Sequence, residues 1–429
     1  MKLTQEKLGW AFYDWGNSAF STIVMAGFFP VFFKEYWNAG VDVADSTFRL
    51  GLANSLASLI IVIMAPVLGA IADSLSRRKA LLAAFAFLGI LMTGSLYLVG
   101  QGNWMLASIL YVLAMVGFSG SNIFYDSLLP SVAGADDMDQ TSALGYSLGY
   151  LGGGLLLGLN VLMTLHPDWF GFVDAVTVVR VSFLVVAVWW LVFTLPLLWI
   201  VEEPASTHVS RPGHSFRQAF IRVWHTLHRV RALRNVWLFL LAYWLYIDGV
   251  DTVIRMAVDY GLSLGIGRDD LIQALLITQF TGFPAALLFG WIGGRFGAKT
   301  GILLGLGIYV LVTIAAARMN TAMEFFYLAF AIGLAQGGVQ ALSRSMYARM
   351  IPAGHSAEFF GFYNMLGKFA AIIGPLLMGW VGVITGNPRA GILSLLILFG
   401  LGGLLLFAVR TGPVMVNPQA RGNDRSGVL

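Results

Sequence analysis

Asp14 and Asn17, in the segment WAFYDWGNSAF, lie one helical turn apart, and Asp248, Asp251, Arg255 and Asp259, in YWLYIDGVDTVIRMAVDYG, fall at i, i+3, i+7 and i+11. Each spacing gathers its residues on one face of a helix. Both segments are otherwise apolar. Ionisable side chains set in hydrocarbon are costly, so they face a cavity or a partner of opposite charge. Aligning YD with ID matches Asp14 with Asp248 and Asn17 with Asp251. Carboxylates beside a guanidinium suit the binding of a zwitterion or a small organic anion, with protons moving alongside. In this reading Asp251 stays ionised beside Arg255 and shapes the site. Asp248, nearly two turns from Arg255, is the expected proton carrier. Asp251 and Arg255, four apart, also fit a plain structural ion pair. Gln336, Gln340, Asn364 and Lys368 are further polar side chains within apolar stretches and complete the candidate set.

A second group belongs to a loop, GAIADSLSRRK (Gly69–Lys79). Gly69 permits close approach of a neighbouring helix. Asp73, four residues before Arg77, is placed to pair with it or to cap a facing helix N-terminus. With Asp126 these residues form an expected conformational latch, made in one state and broken in the other. Arg77, Arg78 and Lys79 serve equally well as determinants of topology.

These groups need elements to hold them, and the chain supplies long apolar ones. Hydrophobic residues make up 58% of its 429 residues and charged residues 11%, against about a quarter charged in soluble domains. A protein interior alone would not hide so much apolar surface, so lipid is the solvent for much of it. Twelve stretches reach spanning length, near 10–33, 47–72, 80–100, 104–128, 142–165, 178–201, 235–259, 270–293, 300–318, 322–346, 358–384 and 390–410. Nothing at the N-terminus resembles a cleavable signal peptide, and the first span is expected to be retained. The glycines of LGYSLGYLGGGLLLG suit close helix packing. The loop recurs about 221 residues later as GWIGGRFGAK, and YDSLLPSVAG recurs as YARMIPAGHS. The expected fold is therefore all-α, with twelve transmembrane helices in two six-helix bundles related by an internal repeat. The expected divisions are 1–201 for the first bundle, 202–233 for a linker, 234–411 for the second bundle and 412–429 for a tail.

Placing both termini in the cytoplasm puts 18 of the 26 lysines and arginines on inner segments, Arg344 and Arg349 among them. That bias sets the orientation. In the linker, SFRQAFIRVWHTLHRVRAL puts Phe216, Phe220, Val223, Trp224, Leu227 and Val230 on one helical face, with basic residues on the others. Such a helix lies along the headgroups; a calmodulin-like or nucleic-acid target is the rival. Its histidines lack carboxylate or cysteine companions at ligand spacing, so no metal is expected. Cysteine is absent, which excludes disulfides and thiol nucleophiles. No phosphate-binding GxxxxGK[ST] loop is present, so energy would come from a gradient or from the substrate itself.

The loop Gly69–Lys79 resembles the signature between spans two and three of the major facilitator superfamily; its copy keeps glycine and arginine but has Gly294 at the acidic position. WAFYDWGNSAFSTIV, YDSLLP, LYIDGVDTVI, QGGVQALSRSMYARMIP and FFGFYNMLGKFAAIIGP resemble the unknown major facilitator family, which is similar to the fungal vacuolar amino-acid effluxers linked to autophagy. The resemblance covers about residues 8–410. It departs at Asp251, where that family has an amide residue, and in adding Arg255. It implies the major facilitator fold and alternating access to a midplane site. The function it implies is secondary transport, as an exporter, of an amino acid or related small organic molecule with protons. The expected setting is a monomer in a bacterial plasma membrane, with small solute, protons and lipids as partners and no cofactor, enzyme activity or nucleic acid. A non-transporting sensor or scaffold, or a carrier of a drug, peptide or lipid, is the alternative.

Overall fold

The computed structural model describes residues 2–75, 77–203, 227–228, 230–352 and 354–410. Most of the linker and the tail 412–429 lie outside these residues. Among the described residues the regular elements are helices, and twelve are long and apolar enough to cross a membrane. They are α1 (Gln5–Trp37), α2 (Asp45–Asp73), α3 (Arg78–Leu98), α4 (Trp104–Val132), α5 (Met138–Leu165), α6 (Ala175–Ile200), α7 (Arg234–Val258), α8 (Asp270–Phe296), α9 (Ala298–Ala316), α10 (Ala322–Met350), α11 (Ser356–Thr385) and α12 (Pro388–Ala408). Each falls on a stretch expected from the sequence. The first to sixth and the seventh to twelfth form the two halves.

Local chemistry starts these helices. Thr4 accepts the Lys7 N–H ahead of α1, and Asp174 accepts that of Thr177 ahead of α6. At α10, Thr321 and Glu324 satisfy each other's free backbone donors, a reciprocal cap. α1 widens into π-helical turns over Phe20–Phe28, a departure common near functional sites.

The repeat is visible in the packing. In the first half α1 packs on α5 and α6, α2 on α4, and α3 on α4 and α6; in the second, α7 packs on α11 and α12, α8 on α10, and α9 on α10 and α12. Every contact recurs six helices later. The halves meet through α2 against α11, α5 against α8 and α10, and α4 against α11.

Contact between the halves is concentrated at the end of the bundle where α1 begins, the terminal face. There a Cβ on Gly69 of α2 would overlap the Ala357 carbonyl, one on Gly361 of α11 would sit 2.5 Å from the Ala65 carbonyl oxygen, and one on Gly290 of α8 would overlap Ala143. These glycines let helix backbones touch across the boundary. Toward the opposite, distal face, Gly51 of α2 and Gly379 and Gly382 of α11 have open space where a Cβ would stand. Among the described residues the hydrogen bonds and ion pairs between the halves lie at the terminal face and at mid-span, where Gln279 of α8 donates to Thr22 of α1 at 3.0 Å.

Candidate functional site

Arg344 of α10 is a buried cation of the second half, with a side chain 2% exposed. It is held almost wholly by the first half. Its Nη1 lies 3.1 Å from Asp126 Oδ1 and 3.6 Å from Asp14 Oδ2. Nε donates to Ser142 Oγ and Nη2 to the Ser142 carbonyl, both at 2.9 Å. The rings of Trp10, Tyr125 and Tyr146 surround the guanidinium at 4.8, 5.3 and 4.3 Å from their centroids. Opposite charge, directional donors and ring faces together suit a planar guanidinium. Tyr125 donates to Asp14 at 3.2 Å, and Asn364 of α11 donates to Asp126 at 3.0 Å. Asp14 and Asn364, both expected site residues, thus meet in one network that spans the halves.

A second cluster lies on α7 and α11. Asp251 of α7 has Arg255 and Lys368 as its cationic neighbours. Arg255 is exposed and Lys368 half-buried although both belong to spans, as expected of charges facing an aqueous cavity. Lys368 Nζ stands 5.9 Å over the Phe118 ring of α4, so the cluster reaches the opposite half. Asn364 and Lys368, one turn apart on α11, connect the two clusters. Asp251 and Arg255 do not form the direct ion pair that their spacing suggested. The Asp251 carboxylate is shared between Arg255 and Lys368. The side chain of Asp259 lies outside the described residues.

Other expected residues are placed apart. Asp248 is 1% exposed, and its Oδ1 accepts the Gly374 N–H of α11 at 2.9 Å, next to Pro375, where the helix carries a proline. Asn17 donates to Asn122 at 2.6 Å. Gln340 accepts from Tyr150 of α5 at 3.4 Å, a contact between halves. Gln336 faces away, into an apolar cavity inside the second half, its Oε1 lacking a partner among the described residues.

The expected latch is built differently in two respects. Asp73 does cap the facing helix: its carboxylate accepts the Ala357 N–H at 3.2 Å and the Glu358 N–H at 2.8 Å at the start of α11. Its arginine, however, is Arg78, at 2.6 Å, and not Arg77. The helix ends between them: Arg77, with φ −126° and ψ 42°, precedes α3, so the i, i+4 rule no longer applies. Asp126 does not join this cluster either, because Arg344 and Asn364 hold it. A second clasp was not foreseen. Asp139, in the first turn of α5, accepts from Arg349 of α10 at 2.7 Å and from the Ser345 hydroxyl. Sequence reasoning counted Arg344 and Arg349 as orientation markers. The signal that pointed further was the repeat: the spacing that matches Tyr125 with Tyr347 matches Asn122 with Arg344, a polar residue inside a span in both halves.

The chain belongs to the family described as vacuole effluxer Atg22 like, whose model matches residues 38–415. It is 36% identical over 408 residues to the uncharacterized MFS-type transporter YxiO of Bacillus subtilis (strain 168), covering 94% of this chain and 95% of that protein. Autophagy-related protein 22 of Eremothecium gossypii is 22% identical over 452 residues, covering 89% and 86%. Among solved structures, the major facilitator superfamily transporter FucP in the outward conformation matches with a TM-score of 0.70 at 13% identity, covering 95% of this chain and 99% of that one. The proton:xylose symporter XylE matches with a TM-score of 0.69 at 14% identity, covering 94% of each. The protein is a multi-pass membrane transporter of the major facilitator superfamily, related to the Atg22 effluxers.

Proposed function

We propose that the protein is a proton-coupled exporter of a small zwitterionic solute, an amino acid or a close analogue. The observation that carries this reading is the charge set of Asp251, Arg255 and Lys368, of both signs, which reaches Phe118 of the first half through Lys368. A carboxylate matches an ammonium group, and two cations match a carboxylate. Export agrees with the efflux for which the family is described. The terminal face is cytoplasmic in this reading, which the basic residues at that face support. The working unit is a monomer in the plasma membrane. The conformer described, clasped at the terminal face, is then the one from which solute leaves.

Alternating access follows from the packing. Solute from the cytoplasm requires the Asp73 cap, the Asp139 clasp and the Arg344 network to open together. Solute released outside requires them to re-form. Asp14, Gln340, Asn364, Asp126 and Gly69 act in that closure, and Asp251, Arg255 and Lys368 in binding. The test is uptake of labelled solutes into inside-out proteoliposomes, with and without an imposed pH gradient. Accumulation of amino acids driven by the gradient, and lost in Asp251→Asn, is expected. Uptake indifferent to the gradient, or unchanged in Asp251→Asn, overturns the reading.

A further inference from the structure

Arg344 has the contacts of a bound ligand. Its helix belongs to the second half, but the walls around its guanidinium come from α1 (Trp10 and Asp14), α4 (Tyr125 and Asp126) and α5 (Ser142 and Tyr146) of the first. Those walls also hold one another. Trp10 donates from its indole nitrogen to the Tyr125 carbonyl at 3.0 Å, the two rings stack at 4.4 Å, and the Tyr125 hydroxyl binds Asp14. Gly145 lets the walls close up, since a Cβ there would lie 2.7 Å from the Tyr125 hydroxyl and 3.0 Å from Asp14 Oδ2. The first half therefore carries a preformed pocket of two carboxylates and three rings.

We propose that this pocket is a cation site in its own right, filled in turn by the tethered guanidinium of Arg344 and by the ammonium or guanidinium group of a small organic cation. The inference rests on the alternating-access reading for when the site is vacant, while its chemistry stands on the contacts above. Opening the terminal face draws α10 and α11 away from α4 and α5. Arg344 and Asn364 leave with them, and Asp14 and Asp126 are left buried together. Two first-half cations at this face are already engaged: Lys7 with Asp137, and Arg78, beside Ser127, with Asp73. Two buried carboxylates without a counter-charge are strongly unfavourable. A diffusible cation entering from the terminal face removes that cost and competes with Arg344 for the same pocket. Each occupant excludes the other, so the entering cation favours the parted state and Arg344 favours the closed one.

The test is chemical rescue of the full chain in nanodiscs. Arg344→Ala empties the pocket, and thermal unfolding is followed as ethylguanidinium chloride is raised to about 20 mM, with sodium chloride as the matched control, since a ligand that binds only the folded state stabilises it. Saturable stabilisation of Arg344→Ala by ethylguanidinium is expected, smaller in the wild type, where Arg344 competes for the pocket, and absent when Asp14→Asn and Asp126→Asn are added. Stabilisation of equal size in all three proteins, or recovery of Arg344→Ala by lowered pH with no response to ethylguanidinium, overturns the proposal. Should Arg344→Ala not fold, wild-type protein with paired spin labels across the terminal face decides. Longer distances in ethylguanidinium than in sodium chloride support the site, and identical distributions overturn it. Neither readout measures transport, so failure here is separable from failure of the solute and proton assignments.

Discussion

Asp14 and Asp248 stand at matched places in the two repeats and have opposite kinds of neighbour. Asp14 faces a cation from the other half, Arg344, with a tyrosine hydroxyl beside it. Asp248 stays within its own half and takes a backbone N–H from α11. One turn further along, Asn17 bonds to Asn122, while its counterpart Asp251 has Arg255 and Lys368. The residue matched with Asn122 is Arg344, which would have faced Asp251 had the halves stayed alike. It reaches across the boundary instead. Duplication fixed where polar positions stand along each helix, and a single side chain pointing outward then gave the halves different work. The first half became a receptor for a charge of the second, and the second half kept a charge set of its own.

The largest effect expected from breaking this comparison is that of Arg344→Met. It leaves Asp14 and Asp126 buried without their cation, which costs about 3–5 kcal/mol. Adding Asp14→Asn and Asp126→Asn should restore most of that loss in thermal or denaturant unfolding. A loss below about 1 kcal/mol, the scale of an exposed pair, would show that the network is not buried in solution. The corresponding strike at Asp248 is Gly374→Ala. Its Cβ would overlap the Thr252 hydroxyl and lie 2.9 Å from Asp248 Oδ1. Crowding of this kind costs about 1–3 kcal/mol, and Thr252→Ala should relieve part of it. Because this contact lies inside one half, distances between spin labels on the two halves should not change.

The twelve helices were legible because lipid demands long apolar runs, and the repeat was legible because loops at matched ends kept their glycines and charges. Gly69 and Asp73 could be read for the same reason: a small residue and an acid at a helix end have few other uses. Arg344 could not. An arginine a few residues from a helix end reads as an orientation marker, and its burial depends on three other helices arriving around it. Arg78 was missed in favour of Arg77 because spacing rules assume a continuous helix, and the chain breaks there. Asp139 was missed because its partners lie some two hundred residues away, in the other half.

The two clasps at the terminal face give a smaller contrast of the same kind. Asp73 caps α11 with two backbone hydrogen bonds and pairs with buried Arg78, while Asp139 pairs with Arg349, whose side chain is 30% exposed. Losing a cap costs about 1–2 kcal/mol, roughly a 5–30-fold change in an equilibrium. A partly exposed pair is worth about 1 kcal/mol or less. Asp73→Ala should therefore move the spin-label distances across the terminal face toward the parted state, and Asp139→Ala should move them less. The reverse order, or no movement in either, would separate these contacts from the conformational balance.

Asp248→Asn should have the smallest effect, and it divides two readings of the same residue. From spacing along α7, Asp248 is the carrier of a proton, and its amide variant should exchange solute without accumulating it. From its contacts, Asp248 fastens α7 to α11 beside Pro375, and an asparagine Oδ1 can accept the same Gly374 N–H. The hydrogen bond survives in a neutral form, so the loss should stay near 1 kcal/mol. Accumulation driven by a pH gradient should then persist in Asp248→Asn and fall in Asp14→Asn, because Asp14 sits where the halves part. Vesicle transport of both variants, with the gradient imposed and removed, decides between them. If Asp248→Asn alone loses accumulation while retaining exchange, the proton passes through the second half, and the repeat-matched carboxylates have the opposite roles.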